Sequence, residues 1–235
     1  MKPYYQGQWL DLKAHYHTNN HQRSNVSNFY LYTYNPFLFF DFKIKPEGVR
    51  DAYTTIIYLE PFDWRNKRAF GYDMWSNEMR RDAMQRAIDS GLASTSSIIT
   101  LVQETETDVQ KGFLTYLPVY KKNADLSTIE NRNKYFRGWV YSPFRAGDLM
   151  KGILGENVLG FDYELYDNEV LIENNLLFDS DTIVHVENVD VPELEVKIPI
   201  DMQGRNWVMY AHSTDNYITK GEKLLPKIVA FFGFI

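Results

Sequence analysis

Residues 76–102 read SNEMRRDAMQRAIDSGLASTSSIITLV and combine a helical pattern with a strand pattern. The first half of this stretch predicts a helix over residues 77–90, with Ser76 as the N-cap and Gly91 as the left-handed residue that ends it. The apolar positions recur at helical spacing, as Met79, Ala83, Ala87 and Ile88. The second half, residues 98–102, is β-branched and apolar, which predicts a strand.

Further strands are predicted on both sides of this stretch. Residues 121–134 between two of them are charged and polar, which is typical of a surface loop, and Pro118 indicates a strand edge or end. A short helix is expected over residues 146–154. The strands of this first series are expected at 54–59, 68–73, 112–120 and 136–141.

A second series of strands follows a boundary expected near residues 150–160. Residues 160–166 and 194–200 alternate apolar and polar side chains, the period of a half-buried strand. The strands of this series are expected at 160–166, 176–178, 183–186, 194–200 and 206–211. The sequence therefore predicts an α+β fold with two small antiparallel sheets and little helix.

The overall composition is that of an ordinary globular protein. The chain has 235 residues, of which 44 % are hydrophobic and 24 % charged, and this length fits one large domain or two small ones. The net charge is −6, without the basic footprint of a nucleic-acid-binding protein, so no nucleic-acid partner is expected. The absence of cysteine excludes disulfides, zinc fingers and thiol catalysis.

Aromatic residues are unusually frequent, with 5 Trp, 17 Tyr and 15 Phe. Two interpretations stay open. Tyrosine combines an apolar ring with a polar tip, which suits a lined pocket or an interface. Aromatic side chains are also enriched in half-exposed β-strands, and composition alone favours that structural interpretation.

The two ends of the sequence differ in apolar character. The residues after Met1 lack the apolar core of a signal peptide, and no run of about 20 apolar residues is found in the sequence. Residues 228–235 are predominantly apolar. They are interpreted either as a final core strand or helix turn, or as the first turns of a membrane helix.

Catalytic and metal-binding motifs are scarce. His15, His17 and His21 lie in a polar segment, which is the favoured interpretation over a metal site, and His185 and His212 are isolated. No nucleophile elbow and no glycine-rich phosphate loop is present. A carboxylate pair of the glycosidase type is available among Glu60, Asp63 and Asp73, but carboxylates at turns often only cap the backbone. The sequence predicts no enzyme activity, no metal and no cofactor.

One ordered set of motifs is informative. The segments are YLEPFDWRNKRAFGYDM at 58–74, RRDAM at 80–84, TLVQE at 100–104, GFLTYLPVY at 112–120, GWVY at 138–141 and FRAGDL at 144–149. This order resembles the CHASE domain, the extracytoplasmic sensor of many bacterial histidine kinases and diguanylate cyclases and of plant cytokinin receptors. The resemblance is close over residues 40–150 and looser over residues 160–215.

The resemblance implies a domain organisation. CHASE domains have a long N-terminal helix followed by two PAS-like subdomains, and the membrane-distal subdomain holds the ligand. For this chain it implies an α+β fold of tandem PAS-like subdomains, each a small antiparallel sheet with flanking helices. The expected parts are a polar N-terminal segment with a truncated signalling helix (1–28), a membrane-distal ligand-binding subdomain (29–155), a membrane-proximal subdomain (156–215) and a juxtamembrane segment leading to a transmembrane helix (216–235).

The resemblance also implies a ligand site. In cytokinin receptors an aspartate at the position of Asp73 accepts hydrogen bonds from the adenine, and a buried carboxylate suits ligand N–H groups. The position of Thr95 supplies backbone contacts, and the strand with Thr115 and Tyr116 lines the pocket. Apolar and stacking walls are expected from Phe70, Tyr72, Leu101 and Phe113.

Each of these residues also has a structural interpretation. Asp73 is equally expected to accept from the backbone N–H groups of Ser76 or Asn77, as turn aspartates do. Arg80 and Arg81 are expected on the solvated face of the helix. The sequence differs from the plant receptors around Asp73, where it has Tyr72 and Trp75. These side chains are bulky enough to fill or reshape a pocket.

The function implied by the resemblance is a sensor that transmits small-molecule binding across a membrane. It is expected on the periplasmic, extracytoplasmic face of the inner membrane, anchored by helices outside this chain, and homodimeric by analogy. An alternative from another class is an aromatic-rich module that binds carbohydrate or protein on exposed platforms, without an enclosed pocket.

Overall fold

The computed structural model describes residues 43–50, 52–155, 161–181 and 194–214. The predictions for residues 1–28, for the strand at 183–186 and for the segment 216–235 therefore lie outside the described residues. So do the three N-terminal histidines and His185.

The first sheet has four antiparallel strands. They are β1 (Ser94–Thr95), β2 (Ile99–Thr100), β3 (Lys111–Tyr120) and β4 (Phe136–Arg145). β3 is the central strand, since it pairs with β4 along its length and with β1 and β2 on its other side. The predicted strands at 112–120 and 136–141 are confirmed. Pro118 faces Trp139 of β4 and lies beyond the residues that pair with β1 and β2.

The helix that packs on this sheet is α1 (Glu78–Ser90). Its N-cap is Asn77, whose side chain accepts from the backbone N–H of Arg80 at 3.1 Å, so the prediction of Ser76 as the cap was wrong by one residue. The Ser76 hydroxyl donates instead to the Asp73 carbonyl, because it belongs to the preceding turn. The predicted end of the helix is confirmed, since Gly91 has a left-handed φ of 74°.

The segment before α1 is less regular than predicted. Residues 54–59 and 68–73 form isolated bridges rather than strands, with Thr55 opposite Asp73 and Lys45 opposite Tyr72. Two 3-10 helices, Asn66–Ala69 and Met74–Ser76, occupy much of the remaining segment. The β-branched run at 54–59 has strand propensity, but it pairs for too short a distance to form a ladder.

Two further helices flank the first sheet. α2 (Ile129–Tyr135) occupies the second half of the stretch 121–134 predicted to be a loop and extends one residue beyond it. It begins after Thr128, whose hydroxyl accepts from the backbone N–H of Asn131. None of its residues is buried, so the sequence has no apolar period that would predict this helix. α3 (Ala146–Leu154) is confirmed as predicted and buries Met150.

The second sheet is also antiparallel. Its strands are β5 (Phe161–Tyr166), β6 (Leu176–Asp179), β7 (Glu195–Asp201) and β8 (Asn206–Ser213), in the order β6-β5-β8-β7. The protein is thus an α+β protein with antiparallel sheets and few helices, as predicted.

Within the described part of the chain, two apolar clusters form the core, one on each side of β3. Leu114 and Tyr116 belong to the cluster under α1, and Phe113 belongs to the cluster of the second sheet, because side chains alternate along a strand. The first core consists of Ile56, Ala69, Met74, Ala83, Met84, Ala87, Ile99, Leu101, Leu114 and Tyr116. The second core consists of Phe113, Ala146, Met150, Tyr163, Leu165, Leu177 and Trp207.

Polar contacts join the two sheets outside these cores. The carboxylate of Asp167 accepts from the backbone N–H of Ile98 at 3.1 Å. The same carboxylate also accepts from the guanidinium of Arg205 and from the indole N–H of Trp207, at the start of β8. The backbone N–H of Thr95 donates to the carbonyl of Gln203 at 3.1 Å. The loop around β1 is therefore tied to the second sheet at two points.

Gly112 allows β3 and β4 to approach closely beside the first core. A Cβ at this position would lie 2.6 Å from the Phe144 carbonyl oxygen and 3.0 Å from Leu101 Cγ. We expect Gly112→Ala to lower the free energy of unfolding by about 1–3 kcal/mol, because the backbone atom cannot move aside cheaply. The matched control is Gly152→Ala in α3, where a Cβ meets nothing within 4 Å.

The control variant should be more stable by about 0.5–1 kcal/mol, since alanine is the better helix former. The midpoint of urea unfolding measures both changes. A Gly112→Ala variant as stable as the wild type would contradict the close approach.

Candidate functional site

Asp73 is held at the centre of the segment before α1. It is fully buried, with 0 % of its surface exposed. Its Oδ1 accepts from the backbone N–H of Thr54 at 2.8 Å and from that of Trp75 at 3.3 Å, and the Thr54 hydroxyl lies at 3.2 Å. One oxygen of Asp73 thus has the capping role considered above, with Thr54 and Trp75 as donors in place of Ser76 and Asn77.

The second oxygen of Asp73 has a different environment. Arg50 Nη1 lies 3.3 Å from Oδ2, so the carboxylate is paired with a guanidinium. Neither atom has a hydrogen bond within the described residues, although both are buried. Oδ2 therefore has its charge balanced but retains unused capacity to accept a hydrogen bond.

Arg80 is the functional candidate that the sequence interpretation missed. It was expected on the solvated face of α1, but only 3 % of it is exposed. Its Nη2 donates to the Thr100 carbonyl at 3.2 Å, and its guanidinium carbon lies 4.8 Å from the ring centroid of Tyr72. Arg81, next in the chain, donates to the Trp75 carbonyl. The expectation was wrong for Arg80 because the buried face of α1 includes Arg80 instead of the adjacent Met79, which the sequence pattern had placed on that face.

The helical spacing contained a signal for this burial. The buried residues of α1 are Arg80, Ala83, Met84, Ala87 and Ile88. These positions follow the period of an amphipathic helix, whereas Met79 is 45 % exposed. The apolar character of Met79 and the charge of Arg80 concealed which of the two points inward.

Two tyrosines lie in the same region. The hydroxyl of Tyr116 donates to the sulfur of Met74 at 3.7 Å, and the rings of Tyr116 and Tyr141 are 6.0 Å apart. The Tyr141 hydroxyl is buried and has no hydrogen-bond partner within the described residues. Burial raises the pKa of both phenols, and the nearby charge of Arg80 opposes this shift in part. Both hydroxyls are therefore neutral donors at physiological pH.

The other predicted site residues are distributed over several places. Tyr72 packs against the first core, to which Leu101 belongs. Phe70 contacts Phe62 edge-on, with ring centroids 5.5 Å apart. The hydroxyls of Thr95 and Thr115 lie 3.0 Å apart across β1 and β3.

Phe113 lies apart from this group. It stacks on Phe144 and meets Trp207 edge-on at 4.8 Å in the second core. The structure therefore brings Tyr72, Leu101 and Tyr116 together around the first core and places Phe113 on the opposite face of β3.

A separate cleft lies on the second-core side of the molecule. It has a volume of about 370 Å³, and none of the predicted site residues lines it. Its walls come from the start of β3, from α3 and from β6, namely Gln110, Lys111, Gly147, Lys151, Leu176, Leu177, Phe178, Asp179 and Ser180.

A comparison of the sequence with models of protein families identifies the family of this chain. The model for the CHASE domain matches residues 19–178, about two thirds of the chain. This chain belongs to the CHASE domain family. The resemblance seen in the sequence is thereby confirmed, and the match spans Asp73, Arg80 and both tyrosines. No curated protein matches the sequence.

Membership of the CHASE family indicates the general role of the chain. CHASE domains are extracytoplasmic sensor domains of receptors, and they are sensory rather than catalytic. In the ranges that the structure describes, no three His, Cys, Asp or Glu side chains converge to hold a metal ion. Among the helices of these ranges, none is both long and apolar enough to cross a membrane.

Proposed function

We propose that this CHASE domain is the ligand-binding part of a transmembrane receptor and that its small-molecule site lies beside the first core, between Asp73 and Arg80. The observation that supports the site is a set of buried polar atoms that have no hydrogen bond to any described residue. They are Oδ2 of Asp73, Nε of Arg80 and the hydroxyl of Tyr141. Native proteins rarely leave such atoms unpaired, and a ligand with polar groups supplies the missing partners.

The tandem organisation is part of the same proposal. Residues 29–155 form the membrane-distal PAS-like subdomain and residues 156–215 the membrane-proximal one. In support, the described parts of these two ranges each contain one antiparallel sheet.

The proposed mechanism of signalling is a shift of populations. A ligand that prefers one arrangement of the two sheets stabilises that arrangement by the difference in its affinities. The hydrogen bond from Ile98 to Asp167 and that from Thr95 to Gln203 are two of the contacts through which the first sheet can bias the second. The output reaches a histidine kinase or diguanylate cyclase on the other side of the membrane, in a homodimeric receptor with a periplasmic sensor.

The test is thermal unfolding of the 235-residue chain against a library of small metabolites led by adenine derivatives, amino acids and organic acids. A ligand that binds only the folded state raises the Tm by mass action. The site variant is Asp73→Asn, which keeps an oxygen for the Thr54 and Trp75 donors and removes the charge. The matched control is Asp63→Asn, an exposed turn aspartate that accepts from the N–H groups of Arg65 and Asn66.

We expect a saturable rise of Tm in the wild type and in Asp63→Asn, and at least a tenfold weaker affinity in Asp73→Asn. Ligand affinities that are equal in the wild type and Asp73→Asn would overturn the assignment of Asp73. A library without any binder would overturn the small-molecule function.

One observation favours the alternative function, a binding module with exposed aromatic platforms. Tyr58 and Trp64 are 71 % and 70 % exposed and lie in one connecting segment. If carbohydrate or protein binds there, Trp64→Ala abolishes that binding and leaves the metabolite shifts unchanged. If Trp64→Ala binds the same partners as the wild type, this alternative fails.

A further inference from the structure

Arg80 is a buried cation without a counterion among the residues that the structure describes. Among the described residues no carboxylate lies within 4.0 Å of its guanidinium, and its contacts are the Thr100 carbonyl, the Met74 sulfur and the Tyr72 ring. All three are neutral. A buried charge that is not paired is strongly unfavourable, so proteins normally supply an ion of opposite sign.

Four other arginines of the described residues are paired in that way. Arg145 binds Glu104, Asp108 and Asp148, and Arg65 lies 3.7 Å from Glu104. Arg205 binds Asp167, and Arg50 lies against Asp73. Each of these side chains is also more exposed than Arg80, since 13–32 % of its surface is accessible. The most deeply buried of these five cations is therefore the one without a carboxylate within 4.0 Å.

The hydrogen-bond donors around Arg80 converge on a weak acceptor. Nη1 of Arg80 lies 3.2 Å from the Met74 sulfur, and the Tyr116 hydroxyl lies 3.7 Å from the same atom. A thioether accepts hydrogen bonds only weakly. The Nε of Arg80 and the Tyr141 hydroxyl have no partner within the described residues. The group that complements this set has several acceptor lone pairs and a negative charge.

We propose that the ligand of this domain carries a carboxylate, which binds Arg80 in place of the Met74 sulfur and accepts from Tyr116 and Tyr141. This inference rests on the proposed function and names the chemical class of its ligand. A carboxylate matches the planar fork of a guanidinium, and its single charge balances that of Arg80. A phosphate would place about two negative charges against one buried cation.

The surroundings of Arg80 define the rest of the ligand. Tyr72 lies against the guanidinium, and Trp75 and Tyr141 also pack against the first core. Aromatic walls of this kind favour an apolar or aromatic body. The ligand class is therefore a small carboxylic acid with an apolar or aromatic group, rather than a neutral base.

The experiment compares acids with their neutral amides on the full chain. The probes are phenylacetate with phenylacetamide and hexanoate with hexanamide, measured by calorimetric titration and by Tm. The variant is Arg80→Met, which removes the charge and keeps an unbranched buried side chain. The matched control is Arg81→Met, the adjacent arginine of α1, whose described hydrogen bond goes to the Trp75 carbonyl.

We expect at least one acid to bind the wild type at least tenfold more tightly than its amide. Arg80→Met should weaken that acid at least 100-fold, whereas Arg81→Met should leave its affinity within threefold of the wild type. Circular dichroism shows whether Arg80→Met is folded; if it is not, the acid-to-amide ratio of the wild type decides.

Two results would overturn the inference. The first is equal affinity of the wild type for acid and amide, or equal affinity of the wild type and Arg80→Met for the acid. Either would show that Arg80 has only a structural role, linking α1 to the Thr100 carbonyl. The second is a neutral library compound whose binding requires Asp73 but not Arg80. That result would leave the proposed sensor function standing and remove only the carboxylate.

Discussion

Replacement of Trp207 by alanine should lower the free energy of unfolding by about 3–5 kcal/mol. Trp207 is the largest side chain of the second core and is only 1 % exposed. Its indole packs edge-on against Phe113 at 4.8 Å, and its Nε1 donates to Asp167 at 2.8 Å. Alanine removes the whole ring from a site where β3, β5 and β8 enclose it, so a cavity and an unpaired acceptor position remain.

The control for this prediction is Trp207→Phe. Phenylalanine keeps an aromatic ring against Phe113 and loses the N–H that binds Asp167, so it should cost about 1–2 kcal/mol, close to the loss of one hydrogen bond to a charged group. Guanidinium unfolding followed by circular dichroism measures both variants. Equal losses in Trp207→Ala and Trp207→Phe would show that packing of the ring contributes little.

The elements that the sequence predicted well are those whose signals are local. The end of α1 depends on Gly91 alone, because few other residues adopt its positive φ. The strand β5 was visible because apolar and polar residues alternate along it, although its last four residues are all buried. The strand β8 was visible because its apolar residues are nearly continuous. Pairing partners could not be predicted in the same way, since register depends on residues distant in the sequence.

The elements that were predicted wrongly show what local signals omit. Residues 54–59 have strand-forming side chains, but their backbone meets residues 71–73 only in bridges. α2 has no apolar face, so only the cap at Thr128 marked its start. In both cases the tertiary structure, rather than the local propensity of the residues, determined which element formed.

The candidate site was predicted partly from resemblance and partly from residue chemistry. Resemblance directed attention to Asp73, and the structure gives one of its oxygens to the backbone and the other to Arg50. Strand alternation alone would have separated Phe113 from Tyr116, because neighbours at odd spacing on β3 face opposite cores. Arg80 was missed because a charge at a buried helical position is expected only where a partner is known.

Replacement of Asp167 by alanine should destabilise the protein by roughly 3 kcal/mol, because it removes one partner of a buried ion pair. Arg205 would lose the carboxylate that now lies 2.8 Å from its Nη2, although 23 % of its side chain stays accessible to water. The N–H groups of Ile98 and Trp207 would lose their acceptor in the same substitution. The effect should therefore exceed that of any single hydrogen bond.

The matched control is Asp148→Ala, which removes one carboxylate of the Arg145 network. Asp148 is 55 % exposed, and Arg145 keeps Glu104 and Asp108, so the loss should stay below about 1 kcal/mol. Urea unfolding of Asp167→Ala, Arg205→Ala and the double variant gives the coupling energy of the pair. Additive losses would show that Asp167 acts through Ile98 and Trp207 alone.

The same variant tests how the two sheets communicate. The Asp167 carboxylate accepts from the backbone N–H of Ile98, which precedes β2. Asp167→Ala removes this contact between the sheets and keeps the hydrogen bond from Thr95 to Gln203. If the sheets are coupled through Asp167, a ligand that protects the first sheet from amide hydrogen exchange should protect β5 and β8 in the wild type and not in Asp167→Ala. Protection of β5 and β8 that survives the substitution would place the coupling in the shared packing of Phe113 against Trp207 instead.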